Sequence, residues 1–223
     1  MIVLLVKDSM YNRKNIKMSF KRITSLFLFS FIIGFSSCTK AQVQEPNLRQ
    51  QVKVTTPIFT VIYSETKEQP ITLIYRSLNR PKNVDRGSMN FYKESDYHTS
   101  DNADYYRNVW DKGHLAPAAT FSDSKENLKQ TFSYLNCALQ NQYLNRGAWR
   151  MLEEQERKWD DVEELIVKID IKFSDTILAT GAMLPNQFIK HIKFTKSNVY
   201  HCYSFPNEKP TMDWEEYKVK HVH

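Results

Sequence analysis

Asp111-Lys112-Gly113-His114, followed by Leu115-Ala116-Pro117, is the densest polar constellation in the sequence, with Asn136, Asn145 and Glu153 downstream. An imidazole titrates near physiological pH, so His114 is suited to proton transfer at neutrality. Gly113 before it permits the close approach of another group, and Pro117 limits how a strand continues. Asn145 and Glu153 lie eight residues apart. On a helix, each step of four residues advances about 40°, so the two project from one side at different heights and form a polar edge that could line a cleft. The same spacing also fits Asn145 as a helix cap and Glu153 as solvated surface. His98, His191, His201, His221 and His223 have no comparable polar setting and read as structural.

The elements that must position these residues are only partly periodic. Leu144, Ala148, Met151, Leu152 and Gln155 follow three-four spacing against a charged complement, which predicts a helix over 144–159. Ser122 and Asp123 offer an N-cap for a helix through Phe132. Residues 58–63 and 71–75 are rich in β-branched and aromatic side chains and read as strands. Further strands are predicted over 165–173, 176–180 and 198–205, with a last one near 217–220 and no helix behind it. Residues 79–110 form a long, irregular polar connection, a kind of segment that often carries function. Strands, two inserted helices and more strands predict an α+β domain.

The 223 residues, 41% of them hydrophobic and with only five Gly, allow one ordinary domain and exclude a disordered or collagen-like chain. The formal charge of +6 is misleading, because residues 1–37 hold six of the 31 Lys+Arg and one of the 25 Asp+Glu. The remainder carries about +1, so net charge gives no argument for a nucleic-acid partner. Residues 18–22 are basic, 23–35 are largely apolar, and Ser36-Ser37-Cys38 follows, the order of a secretory signal peptide. The apolar run is too short to span a membrane comfortably. Cys38 after small residues resembles a bacterial lipobox and is the candidate lipid anchor; plain secretion with an incidental Cys is the alternative. The expected organisation is a signal peptide at 1–37, with Met18 as a better start, then Cys38 and a polar tether to 56, then the domain at 57–223. Cys137 and Cys202 belong to no C-x-x-C pair, which disfavours structural zinc and leaves two buried thiols as the default, with a bridge between them as the alternative.

Three stretches together resemble the DNA/RNA non-specific endonucleases, the ββα-metal (His-Me finger) nucleases. They are Asp-Lys-Gly-His-Leu-Ala-Pro-Ala-Ala at 111–119, Thr-Phe-Ser-Tyr-Leu-Asn at 131–136, and Leu-Asn-Arg-Gly-Ala-Trp-Arg-Met-Leu-Glu at 144–153. The likeness is closest over 104–158 and extends over about 58–218, where Leu178-Ala-Thr-Gly181 resembles the family's strand after the long helix. It implies a mixed, mainly antiparallel sheet with a ββα-metal active-site motif.

The resemblance further implies a Mg²⁺-dependent (or Mn²⁺-dependent) hydrolase that cuts DNA and RNA as substrates. His114 becomes the general base, and Asn145 the single direct ligand of a hard ion that keeps most of its waters. Glu153 becomes the carboxylate that holds those waters, and Asn136 the group that steadies His114 or the backbone near it. Lys112 stands where the family has Arg, which replaces a bidentate fork by a point charge. Arg86 is the candidate for a further phosphate contact, with Arg80 and Arg107 as alternates. Cys137-Ala-Leu-Gln140 replaces the family's Pro-Gln after the first Asn, and the carboxy terminus is short of the family's last helix. A homodimer is compatible with the resemblance, and the leader implies a periplasmic or cell-surface lipoprotein. The competing readings are a catalytically weakened nucleic-acid-binding module on the same fold and a hydrolase of another phosphodiester.

Overall fold

The computed structural model describes residues 48–220; the leader, Cys38 and the start of the tether lie outside the described residues. The strands are β1 (Val52–Thr55), β2 (Phe59–Ser64), β3 (Gln69–Ser77), β4 (Trp110–His114), β5 (Cys137–Asn141), β6 (Leu165–Ile177), β7 (Met183–Phe194) and β8 (Tyr200–Pro206). The helices are α1 (Lys125–Gln130), α2 (Gln142–Leu144) and α3 (Arg150–Asp160), with a π-helical segment Asn145–Trp149 between the last two. Six strands form one antiparallel sheet in the order β1-β2-β3-β6-β7-β8, and β4 and β5 form a separate antiparallel pair. The domain is therefore α+β.

Alternation builds the core face of the large sheet. Val61, Tyr63, Leu73, Tyr75, Val167, Ile169, Phe188, Ile192 and Phe205 are buried, while the intervening Lys168 and Lys193 face outward. Leu115, Phe121, Leu135, Leu144, Trp149 and Leu152 complete the same core from the β4–β5 and helical side. Helix α3 also buries two carboxylates against the sheet. Glu156 Oε1 accepts from Lys190 Nζ at 2.8 Å, Glu156 Oε2 accepts from Tyr75 Oη at 2.5 Å, and Ser77 donates to Asp160. Lys190 and Glu156 are both 0% exposed, and the Lys190 ammonium lies 3.9 Å from the Trp149 ring centre. A buried pair of this kind adds little net stability but is costly to break, and it ties α3 to β7 through Lys190 and to β3 through Tyr75.

Several expectations are corrected. Val52–Thr55, expected in the tether, is an edge strand paired with β2, and Arg49 before it ion-pairs with Glu65, so the fold begins before residue 57. Residues 165–177 are one strand, and Leu178-Ala-Thr-Gly181, expected as strand, is the turn into β7, with Gly181 at φ +116°. Strand β7 was not expected at all. The helix after Ser122 instead starts behind Ser124, whose Oγ accepts from Asn127 N at 3.1 Å, and ends at Gln130. The carboxy-terminal strand is replaced by a 3₁₀ turn, Trp214–Tyr217, and a single bridge from Lys218 to Tyr203. Cys137 and Cys202 are both buried free thiols.

Candidate active site

His114 closes β4 opposite Cys137 of β5. Its ring is held by Phe91 and Phe132, with ring centres 4.8 and 5.0 Å away. Nε2 is enclosed and makes no hydrogen bond to a described residue. Burial, reinforced by the Arg86 charge, pushes the imidazole down to about 3, so it is neutral at pH 7. Asn136 is buried beneath it. Its Oδ1 accepts from Ala116 N at 2.8 Å, and its Nδ2 donates to Ala116 O and Thr131 O, both at 2.9 Å. With Leu115 N donating to Asn136 O at 3.0 Å, the chain leaving His114 is fastened on both edges. Asn136 therefore holds backbone and does not line the cavity. Gly113 faces Gln140 across the pair so closely that a Cβ would sit 2.5 Å from Gln140 Oε1 and 2.6 Å from its Cβ.

Asn145 enters from the helical side, at the start of the π-helical segment, where helical dihedrals break at Gly147. Its Nδ2 donates to Asp111 Oδ2 at 2.9 Å, and Arg146 grips the same carboxylate with Nε at 2.8 Å and Nη2 at 2.7 Å. Glu153, two turns on, is half-buried; its Oε1 is enclosed without a partner, and burial, opposed by the Lys190 charge, pushes it up to about 7. A cavity of about 350 Å³ is lined by Arg86, His114, Asn145, Arg146, Arg150, Glu153 and Arg157, among others. The structure thus brings His114, Asn145, Glu153 and Arg86 together. Arg86 also lies over the Phe132 ring at 5.0 Å.

Lys112 is placed differently. Its ammonium sits among the rings of Phe91, Tyr105 and Tyr134 at 5.5, 5.8 and 5.5 Å and donates to Asn102 Oδ1. It borders a second cavity of about 530 Å³ that shares His114 and Asn145 with the first. The alternates separate: Arg80 lies against Phe121 and Asp123, and Arg107 against Tyr106, outside both linings. Cys38 lies outside the described residues.

The donor set fits a hard divalent cation. Two oxygen-bearing side chains, Asn145 and Glu153, meet a neutral imidazole in one cavity, with a buried unpartnered atom on both Glu153 and His114. Among the described residues no group of three His, Cys, Asp or Glu comes together.

Asp111, Arg146, Arg150 and Arg157 were missed. The three arginines look like one solvated helix face, yet Arg150, Glu153 and Arg157 share the three-four spacing that signals a common side. Asp111 stood in the motif without an assigned partner, because its partners come from a segment more than thirty residues later.

The profile of DNA/RNA non-specific endonucleases matches residues 39–223. Bovine mitochondrial endonuclease G is 39% identical over 75 residues, 32% of this chain and 25% of that protein. Zebrafish mitochondrial nuclease EXOG is 31% identical over 99 residues, 44% of this chain and 26% of that protein. Human mitochondrial endonuclease G is 43% identical over 61 residues, 27% of this chain and 20% of that protein. The aligned stretches span about a quarter of these relatives' length. The crystal structure of an EndoG/EndoGI complex shares the fold, with a TM-score of 0.66 at 20% identity over 75% of this chain and 80% of that one. With the profile running from the first tether residues to the carboxy terminus, the chain belongs to the DNA/RNA non-specific endonuclease family.

Proposed function

We propose that the protein is a divalent-metal-dependent endonuclease that hydrolyses phosphodiester bonds of DNA and RNA without sequence preference, leaving 5′-phosphates. The observation that carries the reading is a neutral His114, its Nε2 making no hydrogen bond to a described residue, in one cavity with Asn145, Glu153 and four arginines. His114 takes the proton of the attacking water on its imidazole; Phe91 and Phe132 hold the ring, and Asn136 fixes the backbone behind it. Asn145 Oδ1, with Glu153 beside it, would hold Mg²⁺ or Mn²⁺, which when bound polarises the phosphate and offsets charge on the leaving 3′ oxygen. Asp111 fixes the orientation of Asn145, as outer partners of metal ligands commonly do. Arg86, Arg146, Arg150 and Arg157 supply positive charge for the scissile phosphate and its neighbours. None of these contacts reads a base, which suits an enzyme indifferent to sequence.

Incubating the purified protein with plasmid and with total RNA, plus Mg²⁺ or EDTA, tests the reading. Metal-dependent degradation of both supports it; binding without turnover favours the weakened binding module. We also propose export with a lipid anchor at Cys38, a reading that rests on residues 18–38 alone. Radioactive fatty acid that labels wild type but not Cys38→Ser supports the anchor, and absence of label removes it.

A further inference from the structure

Lys112 and His114 stand two residues apart on β4, so their side chains leave the strand on one face. The Phe91 ring lies beside both: its centre is 4.8 Å from the imidazole centre and 5.5 Å from the Lys112 ammonium. We propose that Lys112 is a positioning residue of the reaction: its ammonium braces Phe91, which in turn sets the plane of the His114 imidazole, and it does not hold the scissile phosphate. The inference rests on the reading of His114 as the base and specifies what keeps that base in place.

His114 Nε2 makes no hydrogen bond to a described residue, so the direction in which it points falls to the rings packed on it. Of these, Phe132 is 0% exposed, whereas Phe91 is half-buried and comes from the irregular connection between β3 and β4. The backbone beside Phe91 is fastened, with Tyr92 N donating to Phe132 O and Tyr134 N to Tyr92 O, both at 3.0 Å. Those bonds place the main chain and leave the ring to its neighbours, which are Phe132 and Tyr134 at 5.3 and 5.6 Å and the Lys112 ammonium. The same ammonium lies 5.5 Å from the Tyr134 ring and 5.8 Å from Tyr105 and donates to Asn102 Oδ1, which Tyr134 Oη also reaches at 2.9 Å. One cation therefore joins Phe91, the 3₁₀ turn Asn102–Tyr105 and the residue pair before β5 into a single wall beside His114. A cation over aromatic faces is attracted by the ring quadrupoles. To meet a phosphate Lys112 would have to give up three rings and Asn102, while Arg86 lines both cavities at His114 and lies over one ring only.

The test is steady-state cleavage of a labelled oligonucleotide in Mg²⁺ by the full chain as wild type, Lys112→Met, Phe91→Leu and the double variant, each checked by its melting curve. Met keeps an apolar stem and removes the charge. Lys112→Met should lose about tenfold in kcat with KM within about twofold, because a small displacement of a base is enough to misalign it. Phe91→Leu should behave alike, and the double variant should fall no further than the weaker single one, as for residues that act through one contact. Lys112→Arg, which still offers a cation to the rings, should keep kcat within about threefold. Unchanged kcat in Lys112→Met, a loss carried by KM alone, or losses that multiply in the double variant would overturn the inference. Should Lys112→Met fold poorly, wild type decides by NMR: the Lys112 Cε protons, shifted upfield by the rings, should stay there when uncleavable phosphorothioate DNA is added with Ca²⁺. Their move to an unshifted position would mean that the ammonium leaves the rings for the phosphate. Failure of wild type to cut is a separate result that sinks the nuclease reading, and the positioning role falls with it.

Discussion

Asp111 decides which end of Asn145 faces the candidate active site. A carboxylate accepts hydrogen bonds and donates none, so the amide edge 2.9 Å from Asp111 Oδ2 is the nitrogen, and the carbonyl oxygen of Asn145 is left free for a cation. The bidentate Arg146 contact to the same carboxylate holds it in place.

Asp111→Asn removes that constraint, since an amide can present either edge. The expected outcome is a loss of roughly 10–100-fold in Mn²⁺ affinity and in kcat, as for other partners of metal ligands. Calorimetric titration with Mn²⁺ beside steady-state cleavage checks it. Unchanged affinity would mean that Asn145 is oriented by something else.

The pH dependence of stability carries two opposite signatures. His114 is depressed from 6.5 to about 3, so the unfolded chain binds the extra proton between those values; its contribution is complete above pH 6.5 and is lost as pH falls toward 3. Glu153 is raised from 4.5 to about 7, so its neutral form is favoured by folding, and stability falls as pH rises through that window. Glu153→Gln should therefore abolish most activity yet raise Tm at pH 8 by about 2–4 °C, the shift expected for about 1 kcal/mol in a chain of this size. At pH 5 the gain should shrink. Thermal melts at both values decide, and equal melting of the two proteins at pH 8 would contradict the assignment.

Arg150 lies exposed along the cavity, in an i,i+4 ion pair with Glu154. Arg150→Gln should weaken binding evenly across sequences and reduce the slope of log affinity against log salt by about 0.7–0.9, one phosphate contact. Lys112→Met should leave that slope unchanged, because its ammonium is held by aromatic rings and Asn102. Fluorescence titration on a labelled strand, with the metal replaced by Ca²⁺ to slow hydrolysis, measures both.

Lys190→Met leaves Glu156 buried without its cation and should cost about 3–5 kcal/mol in denaturant unfolding. Lys190→Met with Glu156→Leu should recover most of it, because an apolar pair needs no desolvation. No recovery in the double variant would mean that packing around Trp149, and not the charge, dominates this seam.

Much of the site was legible in the sequence because its chemistry is local. Lys112, Gly113 and His114 fall within one strand, whereas the spacing of Asn145 and Glu153 on one helical arm also fitted a cap and solvated surface, and only the family resemblance gave them roles. The helix itself was hidden in part: its π-helical break at Gly147 leaves the three-four pattern nearly intact. Strand β7 was not legible, since Lys190 occupies a core position where alternation calls for an apolar residue, and its partner Glu156 comes from a distant helix. Edge strand β1 is four residues long, too short for alternation to stand out from a polar tether. Leu178 to Gly181 resembles the family's strand, but the positive φ of Gly181 turns the chain there. The aromatic cage around Lys112 draws on residues 91, 105 and 134, and no spacing rule joins them.

The most direct test of the central claim is nicking of supercoiled plasmid in Mg²⁺ by wild type, His114→Ala and Asn145→Ala, with folding of each checked by its melting curve. The account predicts that wild type cuts only with metal. His114→Ala should lose about 10²–10⁴-fold in rate, the usual worth of a general base, and Asn145→Ala should lose comparable activity with some recovery at high Mg²⁺. Folded variants that cut at wild-type rates, or wild-type cutting that persists in EDTA, would contradict it.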